Sequence, residues 1–229
     1  MAEPIKGICS MATKGLLLEL AEAYSRASGL PVSFEAVGGV DAARRVSAGE
    51  PFDVVVLASD AIDKLAAAGK VDASRKTDVV RSGVAVAVPA NAARIDISTE
   101  EAVRRAVLNA ASIAYSTGPS GVALTALFER WGIADAIKAR LVQAPPGVPV
   151  GSLIAKGKAA LGFQQLSELI GVDGIALLGP LPPEIQITTV FSAAPCSSAS
   201  QPDAARGLLA YLASSGSAEA KRRHGMAPA

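Results

Sequence analysis

Histidine is almost missing from this chain: His224, close to the C-terminus, is the only one among 229 residues. A Ser-His-Asp triad, a histidine metal cage or a histidine proton relay would each depend on that tail residue, so none of them is expected. Cysteine is scarce as well. Cys9 and Cys196 form no CxxC motif and cannot build a four-cysteine zinc site, so they read as small buried residues or loop thiols. No metal and no cofactor is expected. Aromatics amount to five Phe, three Tyr and one Trp, too few for a base-stacking platform. Neither sign of charge dominates either: Lys and Arg number 22 against 21 Asp and Glu, and the only dense basic run is Lys221-Arg222-Arg223 beside His224. A phosphate-tracking surface needs clustered cations, so nucleic acid is excluded as a partner.

A membrane span is also lacking. The longest uncharged stretch, Ala106 to Phe128, contains Asn109 and the break Ser116-Thr117-Gly118-Pro119-Ser120-Gly121, a centre that a bilayer helix of ~20 apolar residues would not tolerate. The N-terminus has no basic region followed by an apolar run, so no secretory signal is expected in the chain. Its start, Met1-Ala2-Glu3-Pro4, reads as a trimmed export product with an added Met, which suggests the periplasm; the cytoplasm is the alternative.

What the chain does have is 50% hydrophobic and 19% charged residues, the balance of a folded chain long enough for one large domain or two small lobes. Short β-like runs alternate with helical stretches, the pattern of an α/β protein with parallel strands. Strands are expected at Ile5 to Cys9, Val32 to Val37 and Asp53 to Leu57. Helices are expected at Thr13 to Ser28, stopped by Gly29, at Asp41 to Ala48, and up to Ala68 from a cap at Ser59 or Asp60. A long run from Asp78 to Val88 holds polar Arg81-Ser82-Gly83, a sign of a crossing or of something approaching the backbone. The pattern then restarts, with strands at Ser112 to Tyr115, Leu141 to Gln143, Ala160 to Gln164 and Gly174 to Leu178. Helices are expected at Thr99 to Ala110, Val122 to Trp131, Ala134 to Ala139 and Val150 to Lys156. Beyond Pro180-Leu181-Pro182-Pro183, a strand Ile185 to Ser192 precedes a helical hairpin from Pro202 that packs back on the first lobe. The simplest topology is a discontinuous lobe I (1–81 plus 190–229) and a lobe II (82–189). A ligand is expected in the cleft between them, where loops after parallel strands converge. In this arrangement the first and returning strands are not neighbours, so Cys9 and Cys196 are expected to lie beyond the ~7 Å disulfide limit.

Four loops carry candidate ligand residues. Ser10-Met11-Ala12-Thr13 follows the first strand, with hydroxyls that can bind an anion or cap a helix. Gly38-Gly39-Val40-Asp41 allows close backbone approach or a tight turn. Tyr115 to Gly121 runs from a strand into a helix. Its helix N-terminus can hold a carboxylate, phosphate or oxoanion through Thr117, Gly118, Ser120 and Gly121, without being a Walker A loop. Gln164-Gln165 supply amides for carboxylate oxygens. Arg81, with Ser82, can clamp a carboxylate or pair with Asp78.

The segments Cys9-Ser10-Met11-Ala12, Gly38 to Arg45, Phe52 to Asp60, Thr117 to Gly121 and Pro202 to Pro228 occur in the order found in molybdate-type periplasmic solute-binding proteins, which this chain resembles over almost its whole length. The resemblance implies a two-lobed type II periplasmic-binding-protein fold, with an anion held by Ser10, Gly39, the lobe II backbone at Thr117 to Gly121 and Val148, and the Gln164-Gln165 region. Where that family has a second Ser and a Tyr, this chain has Gly39 and glutamine, which suits a larger anion with two or three carboxylates.

Two functions follow. The first is a monomeric solute-binding protein that closes on a small anion by a hinge near Arg81 and Ser192 and presents it to an ABC-transporter permease. The second rests on a similarity in type to aconitate isomerase, an enzyme of that fold that moves a double bond in a tricarboxylate. It needs a base, for which Asp41 and Asp60 stand at loop ends, although Asp60 also reads as a helix cap.

Overall fold

Branched apolar residues in short runs, each followed by a helix-length amphipathic segment, set the element order. The computed structural model describes residues 3–229; Met1 and Ala2, half of the Met1-Ala2-Glu3-Pro4 start, lie outside the described residues. The chain divides into two units, one formed by the described residues up to Ser82 with Val190–Ala229, the other by Gly83–Thr189.

The first unit opens with β1 (Ile5–Ser10), a 3₁₀ turn (Met11–Thr13) and α1 (Lys14–Ser28). Gly29 ends α1 at φ 75°, a left-handed position where a side chain would be strained. Then come β2 (Val32–Val37), α2 (Gly39–Ser47), β3 (Val54–Ala58) and α3 (Ser59–Ala67). The strand β4 (Thr77–Pro89) carries the chain out of the first unit after Ser82. Strands β1, β2 and β3 are parallel, in the order β2-β1-β3, so Ser10, Val37 and Ala58 end at one edge of the sheet.

The second unit holds α4 (Glu100–Asn109), β5 (Ile113–Tyr115), α5 (Pro119–Arg130), α6 (Ala134–Ile137) and β6 (Leu141–Gln143). It continues with α7 (Val150–Ala155), β7 (Leu161–Gln165), α8 (Leu166–Leu169) and β8 (Ile175–Pro180). The strand β9 (Thr188–Pro195) leads back to the first unit, where it lies antiparallel to β3. The sheet of the second unit runs β8-β4-β7-β5-β6, with β7, β5 and β6 parallel. The chain ends in the first unit with α9 (Pro202–Ala213), α10 (Ala218–Arg223) and β10 (Met226–Pro228), the last antiparallel to the Val80–Ser82 part of β4.

Each sheet has a core on both faces, divided by the two-residue period of a strand. In β3, Val54, Val56 and Ala58 join α1 and α9 residues such as Leu16, Leu17, Leu208 and Leu212, whereas Val55 and Leu57 face Ile62 and Leu65 of α3. In β4, Val84, Val86 and Val88 pack with Phe128 and Phe163. The small residues Ala85 and Ala87 leave room on the other face for Val150, Leu153 and Ile154 of α7. Cys9 and Cys196 are both free and buried, and burial pushes each thiol up to about 12.

The structure corrects several expectations. The sheets are mixed rather than parallel, because an apolar run buried on both faces looks the same in either direction and only its pairing decides. Neither Ser59 nor Asp60 caps α3, whose N-cap is Ala58 without a side-chain hydrogen bond; Asp60 stands in the first turn, 3.7 Å from Lys64. The helix α5 begins at Pro119 and not Val122, since proline fits a first helical position whose N–H is unpaired anyway. Residues Pro183–Ile185 form a 3₁₀ turn, so the returning strand starts at Thr188. The uncharged stretch from Ala106 to Phe128 is shared among α4, β5 and α5, and no helix of the described residues is long and apolar enough to cross a membrane.

Candidate functional site

In the first unit, the carboxyl ends of β1 and β2 carry two of the expected loops. Ser10 is the N-cap of the 3₁₀ turn, yet its side chain makes no cap hydrogen bond. Its Oγ is buried and has no partner among the described residues. The capping role open to Ser10 is therefore unfilled, and the neighbouring Thr13 hydroxyl instead donates to the Ser10 carbonyl at 3.2 Å. Met11 beside it is half-buried. Gly39 opens α2, and a Cβ built there would lie 3.8 Å from the Ser10 Cβ, an ordinary contact. A hydroxyl residue would fit at 39, so the glycine leaves space next to Ser10 that a larger ligand can use.

The expected pair Arg81 and Ser82 is divided, because neighbouring residues in a strand point to opposite faces. Ser82 is buried and its Oγ has no hydrogen-bond partner among the described residues. Arg81 is exposed and makes no ion pair among the described residues. The bridge to Asp78 is absent, as Asp78 lies on the Ser82 side of β4 and accepts a hydrogen bond from Ser192 at 2.6 Å.

In the second unit, the carboxyl ends of β5, β6 and β7 bring three loops to one edge of the sheet, with Tyr115 in register with Gln143 and Phe163. The first loop holds half-buried Ser116 and Thr117, and the Ser116 and Ser120 hydroxyls lie 3.1 Å apart. Gly118 caps α5 without a side-chain bond. Pro119 has no N–H, and the Gly121 and Val122 amides turn back to the Gly118 carbonyl at 2.9 and 3.2 Å. Of the first-turn amides, that of Ser120 is left for an anion. Gly121 has a packing role: a Cβ there would stand 1.8 Å from the Ser116 carbonyl oxygen. Val148, in the loop after β6, is 37% exposed.

The two glutamines have different employment. Gln164 is fully engaged, accepting from the Val150 N–H at 2.7 Å and donating to Glu168 at 2.7 Å. It is not a free ligand donor. Gln165 points to the other face, where its Nε2 donates to the Thr189 hydroxyl at 2.8 Å and its buried Oε1 has no partner. A threonine hydroxyl can also donate, so the amide can turn over and leave its N–H₂ as the free group.

Two residues were missed by sequence reasoning. Ser167 carries a buried Oγ without a partner. Glu168 holds a carboxyl that burial pushes up to about 7, against the opposing effect of the Gln164 hydrogen bond. Both lie on α8, only four residues long, which gave no periodicity to read. A cavity of about 290 Å³ between the later turns of α5 and Glu184–Ile187 is lined by none of the expected ligand residues.

The chain from residue 5 to 227 matches the model of a family described as bacterial extracellular solute-binding protein. It is 38% identical, over 99% of its length and 90% of the relative's, to an aconitate isomerase from Pseudomonas sp.. The periplasmic molybdate-binding protein of Azotobacter vinelandii superposes with a TM-score of 0.82 at 20% identity, covering 97% of this chain and 98% of that one. A tungstate-binding protein from Desulfovibrio alaskensis superposes with a TM-score of 0.69 at 18% identity, covering 95% and 93%.

Proposed function

Because the chain belongs to the bacterial extracellular solute-binding protein family, we propose that it binds an unsaturated tricarboxylate of the aconitate type and shifts that anion's double bond. Its fold is that of the type II periplasmic binding proteins. The observation that carries the reading is the 38% identity to an aconitate isomerase over nearly the whole chain; the oxyanion-binding structures share the fold at 20% identity or less.

The side chains support a polar anion site. Buried hydroxyls without partners, Ser10 and Ser82, wait for an acceptor on the first unit. A hydrogen-bonding group taken out of water costs about 1–3 kcal/mol when unpaired, and a carboxylate oxygen would relieve that cost. Arg81, exposed on the face of β4 opposite to Ser82, makes no ion pair among the described residues and is not counted with these hydroxyls. On the second unit the Ser116–Ser120 turn and Gln165 offer further donors. On the first unit, the space that Gly39 leaves beside the free Ser10 hydroxyl favours a polycarboxylate over a compact tetrahedral oxometalate. The donors also stabilise negative charge that spreads into a carboxyl group during an allylic proton shift.

The family description supports a second reading, a periplasmic binding protein that hands the same anion unchanged to an ABC-transporter permease. A thermal-shift panel of molybdate, tungstate, citrate, cis-aconitate and trans-aconitate, followed by proton NMR of each hit, separates the two. Stabilisation by an aconitate with interconversion of its isomers is the expected result. Stabilisation without interconversion would leave the transport reading, and micromolar binding of molybdate with indifference to tricarboxylates would overturn both.

A further inference from the structure

Resting on the isomerase reading, we propose that Glu168 is the base that takes and returns the migrating proton, with Gln164 as its positioning residue. The helix α8 packs against β7, α7 and β8, and the segments LGFQQ, VGSLIA and IALLGP that form them contain no ionisable side chain. No cation lies within salt-bridge distance of Glu168 among the described residues. Its one hydrogen bond comes from the Gln164 Nε2 to Oε2, at 2.7 Å.

That bond has a fixed direction. The Val150 N–H can only donate, so the Gln164 atom facing it, at 2.7 Å, must be Oε1, and the amide N–H₂ must face Glu168. A locked donor on one carboxyl oxygen leaves the other to exchange a proton. Enclosure without a counter-ion pushes the group up to about 7, the range in which a carboxyl can both accept and release a proton at neutral pH.

Its position fits the task. Glu168 follows the carboxyl end of β7, the edge where the Ser116–Ser120 turn and the Val150 start of α7 also lie. Next to it in sequence, the buried Ser167 Oγ lacks a partner among the described residues. Of the acids first considered, Asp41 is half-buried beside Arg44, and Asp60 is exposed beside Lys64.

The step balances without an oxidant or reductant. The Glu168 carboxylate removes a proton from the CH₂ next to the double bond, so a C–H bond breaks and an O–H bond forms. The electron pair spreads over the three allylic carbons and into a carboxyl group. Glu168 then returns the proton to the far allylic carbon, and the double bond has moved by one position.

The test uses the full chain with trans-aconitate in D₂O, followed by proton NMR. Wild type should interconvert the isomers and wash deuterium into the allylic positions. Glu168→Gln should lower turnover about 10²- to 10⁴-fold and abolish the exchange, while calorimetry with trans-aconitate shows an unchanged Kd. Gln164→Met should move the rising limb of the kcat/KM profile to higher pH, since it removes the donor that favours the carboxylate. That variant also keeps the test open if Glu168→Gln does not fold. A wild type that neither isomerises nor exchanges overturns the functional reading together with this inference. Active wild type with an active Glu168→Gln variant, or with an unmoved limb in Gln164→Met, overturns the role of Glu168 alone.

Discussion

The Ser10 and Ser82 hydroxyls have no hydrogen-bond partner among the described residues, and that has opposite consequences for stability and for binding. Ser10→Ala removes a buried polar atom that has no partner, so the free protein should be as stable as wild type or slightly more stable in urea denaturation. Its affinity for a carboxylate anion should fall roughly 10- to 150-fold by calorimetry, the loss of one hydrogen bond to a charged group worth about 1.5–3 kcal/mol. Glu168 shows the same division through pH. Its carboxyl titrates from 4.5 in the unfolded chain to about 7 in the folded one. Between those values the folded state holds the extra proton, so stability must fall as pH rises from about 4.5 to about 7 and level off above. Glu168→Gln lacks this loss and should be the more stable protein at pH 8, by at most about 3 kcal/mol. Water reaching the half-buried side chain reduces that figure. Denaturation curves at pH 5 and pH 8 read the difference directly.

At the scale of elements, α10 is tied to α1 by one acid. Glu19 receives the His224 Nε2 at 2.9 Å and also pairs with Arg223, and these two partners, His224 first, hold its carboxyl below the usual range. An acid lowered in the folded state adds stability above its unfolded value of 4.5 and loses it as pH falls further. Glu19→Gln should therefore cost a few tenths to about 1 kcal/mol at pH 7, as expected of a partly exposed pair. It should cost little below pH 3, which thermal unfolding at the two pH values would show. The turn before α5 depends on a different residue. At Gly121 a Cβ would meet the Ser116 carbonyl at 1.8 Å, and backbone cannot swing aside as a side chain does. Gly121→Ala should cost on the order of 1–3 kcal/mol or more and disturb the Ser116–Ser120 contact, measured as a lower Tm together with weaker anion binding.

For the whole molecule, the chain crosses between its two units twice, within β4 and within β9, and each unit has cores on both faces of its own sheet. Any ligand that binds only the folded protein raises its apparent stability by mass action. At a hundred times its Kd, an anion should add about 2.7 kcal/mol, so Tm in saturating trans-aconitate should exceed that in molybdate at equal concentration. Equal or reversed shifts would count against the carboxylate reading.

The alternation of apolar residues was enough to locate most of the elements, from Ile5–Ser10 through Val150–Ala155, because burial of a helix face or a strand leaves its period in the chain. Scarcity of histidine and of clustered cations limited the chemistry, since a side chain that is not encoded cannot act. The direction of strand pairing did not show in that pattern; β9 runs against β3, and β4 against β7, by virtue of contacts far apart in sequence. Candidate donors such as Ser10 and Gln165 were legible as polar residues after strands, but whether their atoms were free or engaged was not. Gln164 and Gln165 are adjacent and alike, and only the fold turns one inward to Val150 and Glu168 while leaving the other with an unpaired oxygen. Glu168 itself looks like any surface acid in the string Leu166-Ser167-Glu168-Leu169. Its altered acidity arises from three uncharged elements packed around it, an environment that exists only after folding.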